Sequence, residues 1–406
     1  MITKDEGRVW AGESSLLLRY HGFMGLDQTR EEKAKWYARE HFRLMLLSFG
    51  VELAILVALL ISGASVWWAG RVTAASGWRA APAAVVLLYT AGLGVLLKLA
   101  ETPFSVLSRR IEIRYGLNRQ SRTGWLWDQT KSTLIGAALA LGGLELVYWL
   151  LRATPKIWWL WAWGAFVLFA IALAQLAPVL LLPLFFKFRP LSTEGKEAEL
   201  VERLSRLSER AGTRVRGVFE WKLGEKSAKA NAALTGLGAT RRVIISDTLL
   251  NSAAPDEIEA VFAHELGHHV HRHIWYGLAF QMALSFLGFW LADVALRFFE
   301  GPLHLVGIAD IAGLPLLFLV AMVISALLLP IANAFSRRME RQADDYAFAA
   351  VGDAEPLVRG LQRLADQNLA ERHPPRWKEF IFYSHPSIST RLTRASAWQA
   401  ARGKTR

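Results

Sequence analysis

The 406-residue chain contains no cysteine. That absence excludes disulfide staples, thiol nucleophiles and cysteine-ligated metal sites, so any metal must be held by histidine and carboxylate. An apolar segment near the start is also missing. The first 40 residues are polar and charged, which argues against a cleavable secretory signal and makes the first apolar run an uncleaved anchor. No internal repeat and no low-complexity tract is present, although the tail after Ala395 is polar and is expected to fray. Nor do the basic residues form one patch interleaved with aromatics, so the net charge of +12 does not point to nucleic acid.

What the chain has in abundance is apolar surface: 53% hydrophobic residues, including 17 Trp and 21 Phe. Six stretches, near residues 43–69, 82–107, 132–152, 157–186, 275–298 and 311–335, reach the roughly 20 residues a helix needs to cross about 30 Å of hydrocarbon. The run from Ile157 to Phe186 carries no charged residue, a length that buried helices of soluble enzymes seldom reach. Lysine and arginine concentrate in alternate connections: Arg30 to Arg43, Arg109 to Arg122, Lys187 to Arg272 and the C-terminal tail. The intervening connections, around Arg71 to Arg79, Arg152 to Lys156 and Gly301 to Asp310, are poor in both. Six spans with both termini and the long polar segment in the cytoplasm satisfy the positive-inside rule at every loop. Glu52, Lys98, Glu101, Glu145 and Asp293 fall inside apolar runs, and charge facing lipid is costly, so they are expected to face other helices or a wet cavity.

The chain divides near residue 188. Residues 1–188 read as an N-terminal membrane domain of four spans, and 189–406 as a peptidase domain that includes two more. After the fourth span, Glu197 to Ala211 has apolar residues at helical spacing, short β-branched runs follow at Gly217 to Trp221 and Arg242 to Ser246, and Gly236 to Thr240 reads as a turn. Pro255, with Asp256 and Glu257 behind it, opens a helix. The expected architecture is an α-helical polytopic membrane protein with about six transmembrane helices and a small α+β zincin-like catalytic lobe.

On the helix opened by Pro255 lies His264-Glu265-Leu266-Gly267-His268, the pattern H-E-x-x-H. At 3.6 residues per turn, His264 and His268 project from one face about 6 Å apart, within reach of one Zn²⁺. Glu265 stands about 100° around the helix, placed to take a proton from the attacking water and pass it to the leaving amine. His269 and His271 lie on other faces and His273 sits near the membrane entry, so all three read as bystanders. A catalytic zinc needs a third protein ligand and an open position for water. The candidate is Glu340 in Ser336-Arg337-Arg338-Met339-Glu340-Arg341-Gln342-Ala343-Asp344, with Asp344 one turn on to support a ligand imidazole. Spacing alone leaves open that this stretch is a basic juxtamembrane helix with compensating acids.

With both motifs in hand, the chain resembles the type I CAAX prenyl endopeptidases, integral-membrane zinc proteases of the gluzincin type. Besides the metal motifs, the likeness rests on Pro103-Phe104, Ile111-Glu112 with Arg114 to Gln120, Asp128 with Lys131, Pro183 to Leu191, Asn231 to Leu237, Asp247 to Leu249, and His385-Pro386 followed by Arg391. The resemblance implies Glu340 as third ligand of one zinc per chain. It implies Asn231 and Ala232 on an edge strand that pairs with substrate backbone, His385 as an oxyanion stabiliser, and Arg391 as support for the site. It also implies a large water-filled chamber among the helices. Family members usually carry seven spans, whereas the polar start here leaves room for six, so the first family helix is expected to be absent.

The leading reading is a zinc-dependent endopeptidase acting on peptides or proteins that are prenylated or membrane-associated, with the lipid bilayer as its setting. A second keeps the chemistry and makes the substrates misfolded or stalled membrane proteins without any prenyl requirement. A third, of another class, is a non-catalytic metal-binding scaffold, against which Glu265 stands, because a structural site has no need of an acid beside its first ligand.

Overall fold

The computed structural model describes residues 29–76, 82–213, 215–236 and 241–403. Arg79 and the turn residues 237–240 lie outside them. Six helical segments are long and apolar enough to cross a membrane: Arg30–Ile61, Pro82–Arg114, Arg122–Ala153, Trp158–Phe185, His273–Phe299 and Ile311–Val351. We label the helices α1 (Arg30–Ile61), α2 (Ala64–Ser76), α3 (Pro82–Arg114), α4 (Arg122–Ala153) and α5 (Trp158–Leu176, prolonged by a π turn over Ala177–Leu181).

The first span is not the continuous 43–69 run that apolarity alone suggests. Helix α1 begins earlier, where Glu32 accepts the Thr29 N–H at 3.0 Å and Thr29 accepts the Glu32 N–H at 3.4 Å, a reciprocal cap. It stops at Ile61 because Gly63 adopts a left-handed φ of 70°, which suits a residue without Cβ. The remaining apolar residues form α2, tethered through Ser65, whose hydroxyl contacts Tyr89 and donates to the Ala312 carbonyl, each at 2.6 Å. These contacts sit in the membrane-domain core around Tyr89, Leu93, Tyr148, Leu151, Trp158 and Leu314.

Three of the intramembrane charges, Lys98, Glu101 and Asp293, form ion pairs. Lys98 and Glu101 pair at 2.7 Å. Asp293 is buried, accepts the Trp158 indole N–H at 2.6 Å and pairs with Arg297 at 2.9 Å. A cavity of about 440 Å³ between α1, α3 and α4 is lined by His41, Ser48, Glu101, Arg109, Glu112 and Gln129 among others. Glu101, which lines this cavity, and the buried Asp293 therefore face inward, as the cost of charge in lipid demands.

The lobe starts with β1 (Phe188–Pro190) and continues through α6 (Ala198–Arg210), β2 (Val218–Trp221), β3 (Ala232–Thr235) and β4 (Arg242–Ser246). The sheet order is β1-β2-β4-β3, with β2 and β4 parallel and the other pairs antiparallel. Helix α7 (Pro255–Val270) follows, then α8 (His273–Phe299), α9 (Leu314–Val351), α10 (Glu355–Gln367), α11 (Arg376–Phe382) and α12 (Ile388–Gly403). The core joins Leu204 and Leu207 of α6, Ile245 of β4, Phe262 and Leu266 of α7, Phe348 of α9 and Leu361 of α10. Each fully buried aliphatic side chain contributes about 1.5–3 kcal/mol. The tail expected to fray is helical through Gly403, because Trp398 packs on Phe348 and Arg402 donates to the Gly352 carbonyl at 2.5 Å.

The segment 111–131 forms a socket for the loop that leads into β3. Lys229 pairs with Glu112 at 2.8 Å, and Lys226 and Lys131 both pair with Asp128. Backbone bonds run from Arg119 N to Lys226 O and from Ala228 N to Leu117 O, both at 2.9 Å. Opposite charges on membrane helices and lobe thus fix where the edge strand lies.

Candidate metal centre

Pro255 occupies the first position of α7, where its missing N–H is no loss, and Glu257 reaches back to accept the Ala254 N–H at 3.1 Å. Glu257 is 2% exposed and pairs with Arg363 of α10 at 2.6 Å, fixing the start of the helix. Two and a half turns on, His264 and His268 present their rings to one side, centroids 5.0 Å apart.

Facing them is α9, one 38-residue helix that runs from the membrane segment directly into the Glu340 motif. Crossing it against α7 requires Gly267: a Cβ there would lie 2.9 Å from Ala343 Cα and 3.1 Å from its carbonyl oxygen. Both atoms are backbone and cannot step aside. Gly267→Ala is expected to cost about 1–3 kcal/mol by overpacking and, by displacing Glu340, to weaken metal binding. Unfolding and metal titrations on the purified variant check this, and unchanged values in both would exclude so tight a crossing.

Across that contact, His264 Nε2 is 3.3 Å from Glu340 Oε2, His268 Nε2 is 3.4 Å from Glu340 Oε1, and the two Nε2 atoms are 3.3 Å apart. All three residues can offer a ligand atom within one small volume. Glu340 is buried with both carboxylate oxygens turned to the two histidines, a donor set of the kind a divalent cation satisfies. The donor set therefore fits a metal ion. Burial alone would lower the His264 pKa, but hydrogen bonds to Asp344 and Glu340 push it up to about 9, and the same carboxylates favour a cation.

Asp344 is completely buried and receives His264 Nδ1 at 2.9 Å. Arg391 of α12, also buried, grips it with two bonds, Nε to Oδ2 at 2.9 Å and Nη2 to Oδ1 at 2.5 Å. His385 is exposed, with Nε2 3.3 Å from Glu340 Oε1, and Ser384 Oγ contacts its Nδ1 at 2.9 Å. Two residues that sequence reasoning missed hold this loop. Arg337 donates to the carbonyls of Glu379, Phe380 and Tyr383 at 3.0, 3.2 and 2.6 Å, and Asn333 donates to that of Ile381 at 2.7 Å. Their only sequence signal is polarity continuing along an otherwise apolar helix.

Glu265 is half-buried on α7 beside His264. Asn231 and Ala232 lie at the start of β3, which has a strand on one side only among the described residues. Asn231 O accepts the Ser246 N–H at 2.9 Å, so alternation along the antiparallel ladder turns the N–H and C=O of Ala232 and Leu234 to the open edge. His269 is on a different face of α7, its pKa lowered to about 4 by burial and Arg241. His273 is not remote, as its sequence position suggests: its Nδ1 is 3.0 Å from His268 Nδ1.

Comparison with known proteins identifies the family of the chain. Residues 194–399 match the model of peptidase family M48, and residues 24–187 match that of the CAAX prenyl protease N-terminal region, described as five membrane helices. The chain is 31% identical over 370 residues to the uncharacterized metalloprotease YhfN of Bacillus subtilis, covering 89% of this chain and 84% of that one. It is 30% identical over 324 residues to CAAX prenyl protease 1 of Saccharomyces cerevisiae, covering 74% and 70%. The crystal structure of S. mikatae Ste24p superposes with a TM-score of 0.79 at 26% identity, over 91% of this chain and 89% of that chain. The chain belongs to peptidase family M48, as a multi-pass membrane metallopeptidase resembling the CAAX prenyl proteases.

Proposed function

We propose that the centre holds one zinc ion per chain on His264, His268 and Glu340 and hydrolyses peptide bonds in prenylated substrates. The observation that carries the metal assignment is the spacing. Tetrahedral zinc with bonds of about 2.0–2.1 Å sets its ligand atoms about 3.3–3.4 Å apart. The nitrogen and oxygen atoms here are separated by 3.3, 3.3 and 3.4 Å. Bound zinc supplies Lewis-acid polarisation of the scissile carbonyl and makes water a better nucleophile.

The side chains supply the rest. Glu265 takes the proton of the attacking water on its carboxylate and delivers it to the leaving amine nitrogen. His385, with the Ser384 hydroxyl donating to Nδ1, carries its hydrogen on Nε2 and donates it to the developing oxyanion. Asp344 holds the hydrogen of His264 on Nδ1, and Arg391 balances the buried carboxylate. Ala232 offers its backbone along the open edge of β3 to an extended substrate, with the Asn231 side chain beside it.

The relatives named as CAAX prenyl proteases support a prenylated peptide as substrate. The proposed division is a membrane domain over 1–188 and a zinc peptidase domain over 189–406, consistent with where the two family matches meet. The distribution of basic residues supports a bilayer orientation with lobe and termini in the cytoplasm. The test compares one peptide with and without a farnesyl group on purified enzyme. The expected result is a kcat/KM at least about tenfold higher for the farnesylated form, equivalent to about 1.4 kcal/mol, with chelator abolishing both activities and zinc restoring them. Equal values would reject the prenyl requirement and favour the quality-control reading.

A further inference from the structure

The two histidines of the centre are supported differently, and the difference assigns work to two residues outside the metal set. His264 has a buried carboxylate on its Nδ1. His268 has instead another histidine: its Nδ1 faces His273 Nδ1 at 3.0 Å, and His273 Nε2 faces Gln342 Oε1 at 3.0 Å. We propose that Gln342 and His273 form a hydrogen-bond relay that orders the protons of His268, holding hydrogen on its Nδ1 and leaving its Nε2 lone pair free for the metal.

The polarity follows from the far end. An amide oxygen only accepts, so the His273 nitrogen facing it carries the hydrogen. Gln342 thus selects the His273 tautomer with hydrogen on Nε2, whose Nδ1 is an acceptor, and the ring is held in place at 5% exposure. Two ring nitrogens 3.0 Å apart need one hydrogen between them, and His268 Nδ1 must supply it. With hydrogen on Nδ1, the neutral His268 ring that a metal requires presents its Nε2 lone pair beside Glu340 Oε1, 3.4 Å away. The reverse order would put hydrogen on Nε2 and block coordination. Helix α9 thus contributes twice, Glu340 to the metal and Gln342 to the relay.

The break after α7 makes this contact available. Arg272 takes a left-handed φ of 56°, unusual for a residue with Cβ, and α8 restarts at His273. That turn brings a side chain five residues along to the back of His268. His271, stacked on His273 with centroids 5.5 Å apart, covers the outer side of the ring.

His273 and Gln342 are positioning residues, and the relay rests on the metal assignment proposed above. The test measures zinc affinity by chelator competition, and the visible spectrum of the cobalt-substituted protein, for the full chain in detergent. His273→Leu, which keeps bulk and removes both nitrogens, is expected to weaken zinc binding about 10–100-fold and to alter the cobalt spectrum. The unfolding midpoint without metal should stay unchanged. His273→Asn, whose Oδ1 replaces the Nδ1 acceptor, is expected to recover most of the affinity, and Gln342→Leu to fall between the two. Wild-type affinity in His273→Leu, or no recovery in His273→Asn, overturns the relay. If His273→Leu does not fold, Gln342→Leu decides, wild-type affinity overturning the relay. His268→Ala and Glu340→Ala run in parallel: if these retain zinc, the metal assignment itself fails, and if they lose it while His273→Leu does not, only the relay fails.

Discussion

Replacing Glu265 by Gln is expected to lower kcat about 10²–10⁴-fold while leaving metal content unchanged. The reasoning is local. Gln has the size and helix compatibility of Glu, so α7 keeps His264 and His268 in place, and Glu265 is not among the residues whose ligand atoms converge. What the substitution removes is a carboxylate able to hold a proton between attack by water and departure of the amine. Binding of an uncleaved peptide should be little changed, so the loss should fall on kcat more than on KM. Single-turnover cleavage beside metal analysis separates the effects. A variant that cleaves at the wild-type rate would remove Glu265 from the proton path.

Arg391→Ala is expected to destabilise the fold by about 3–5 kcal/mol. Asp344 and Arg391 have side-chain exposures of 1% and 8%, with two hydrogen bonds between them. Removing the guanidinium leaves a carboxylate buried with only the His264 imidazole beside it, and the energy lost is chiefly that of an uncompensated charge. Because Asp344 orients His264, metal affinity should fall in the same variant. Arg391→Lys restores charge without the planar two-point grip and is expected to recover only part of both losses. Denaturant unfolding in detergent measures the change; a shift under about 1 kcal/mol for Arg391→Ala would show that the pair is not under the strain of burial assumed here.

Much of this was legible in the chain itself, for reasons that differ between elements. The spans were readable because lipid demands an uninterrupted apolar length, and α7 because Pro255, the following acids and the His264 to His268 spacing all agree on a helix. Glu340 could not be separated from a compensating acid by spacing alone, since what makes it a ligand candidate is the crossing of α7 and α9 at Gly267 and Ala343, a contact between segments about 76 residues apart. The break between α1 and α2 was missed because Gly63 interrupts the helix without interrupting the apolarity. His273 was read as a bystander because it sits near the membrane entry, and the left-handed turn at Arg272 is what brings it back to His268. Arg337 and Asn333 were missed for a related reason: their partners are backbone carbonyls at the end of α11, which leave no pattern in the sequence.

If His264, His268 and Glu340 hold a catalytic metal between two helices, the metal content of the Glu340→Ala protein must fall. The expected values are about one zinc per chain in the wild type and almost none after dialysis in Glu340→Ala, with loss of cleavage in step. Wild-type zinc content in folded Glu340→Ala would exclude Glu340 as a ligand and require a different third residue.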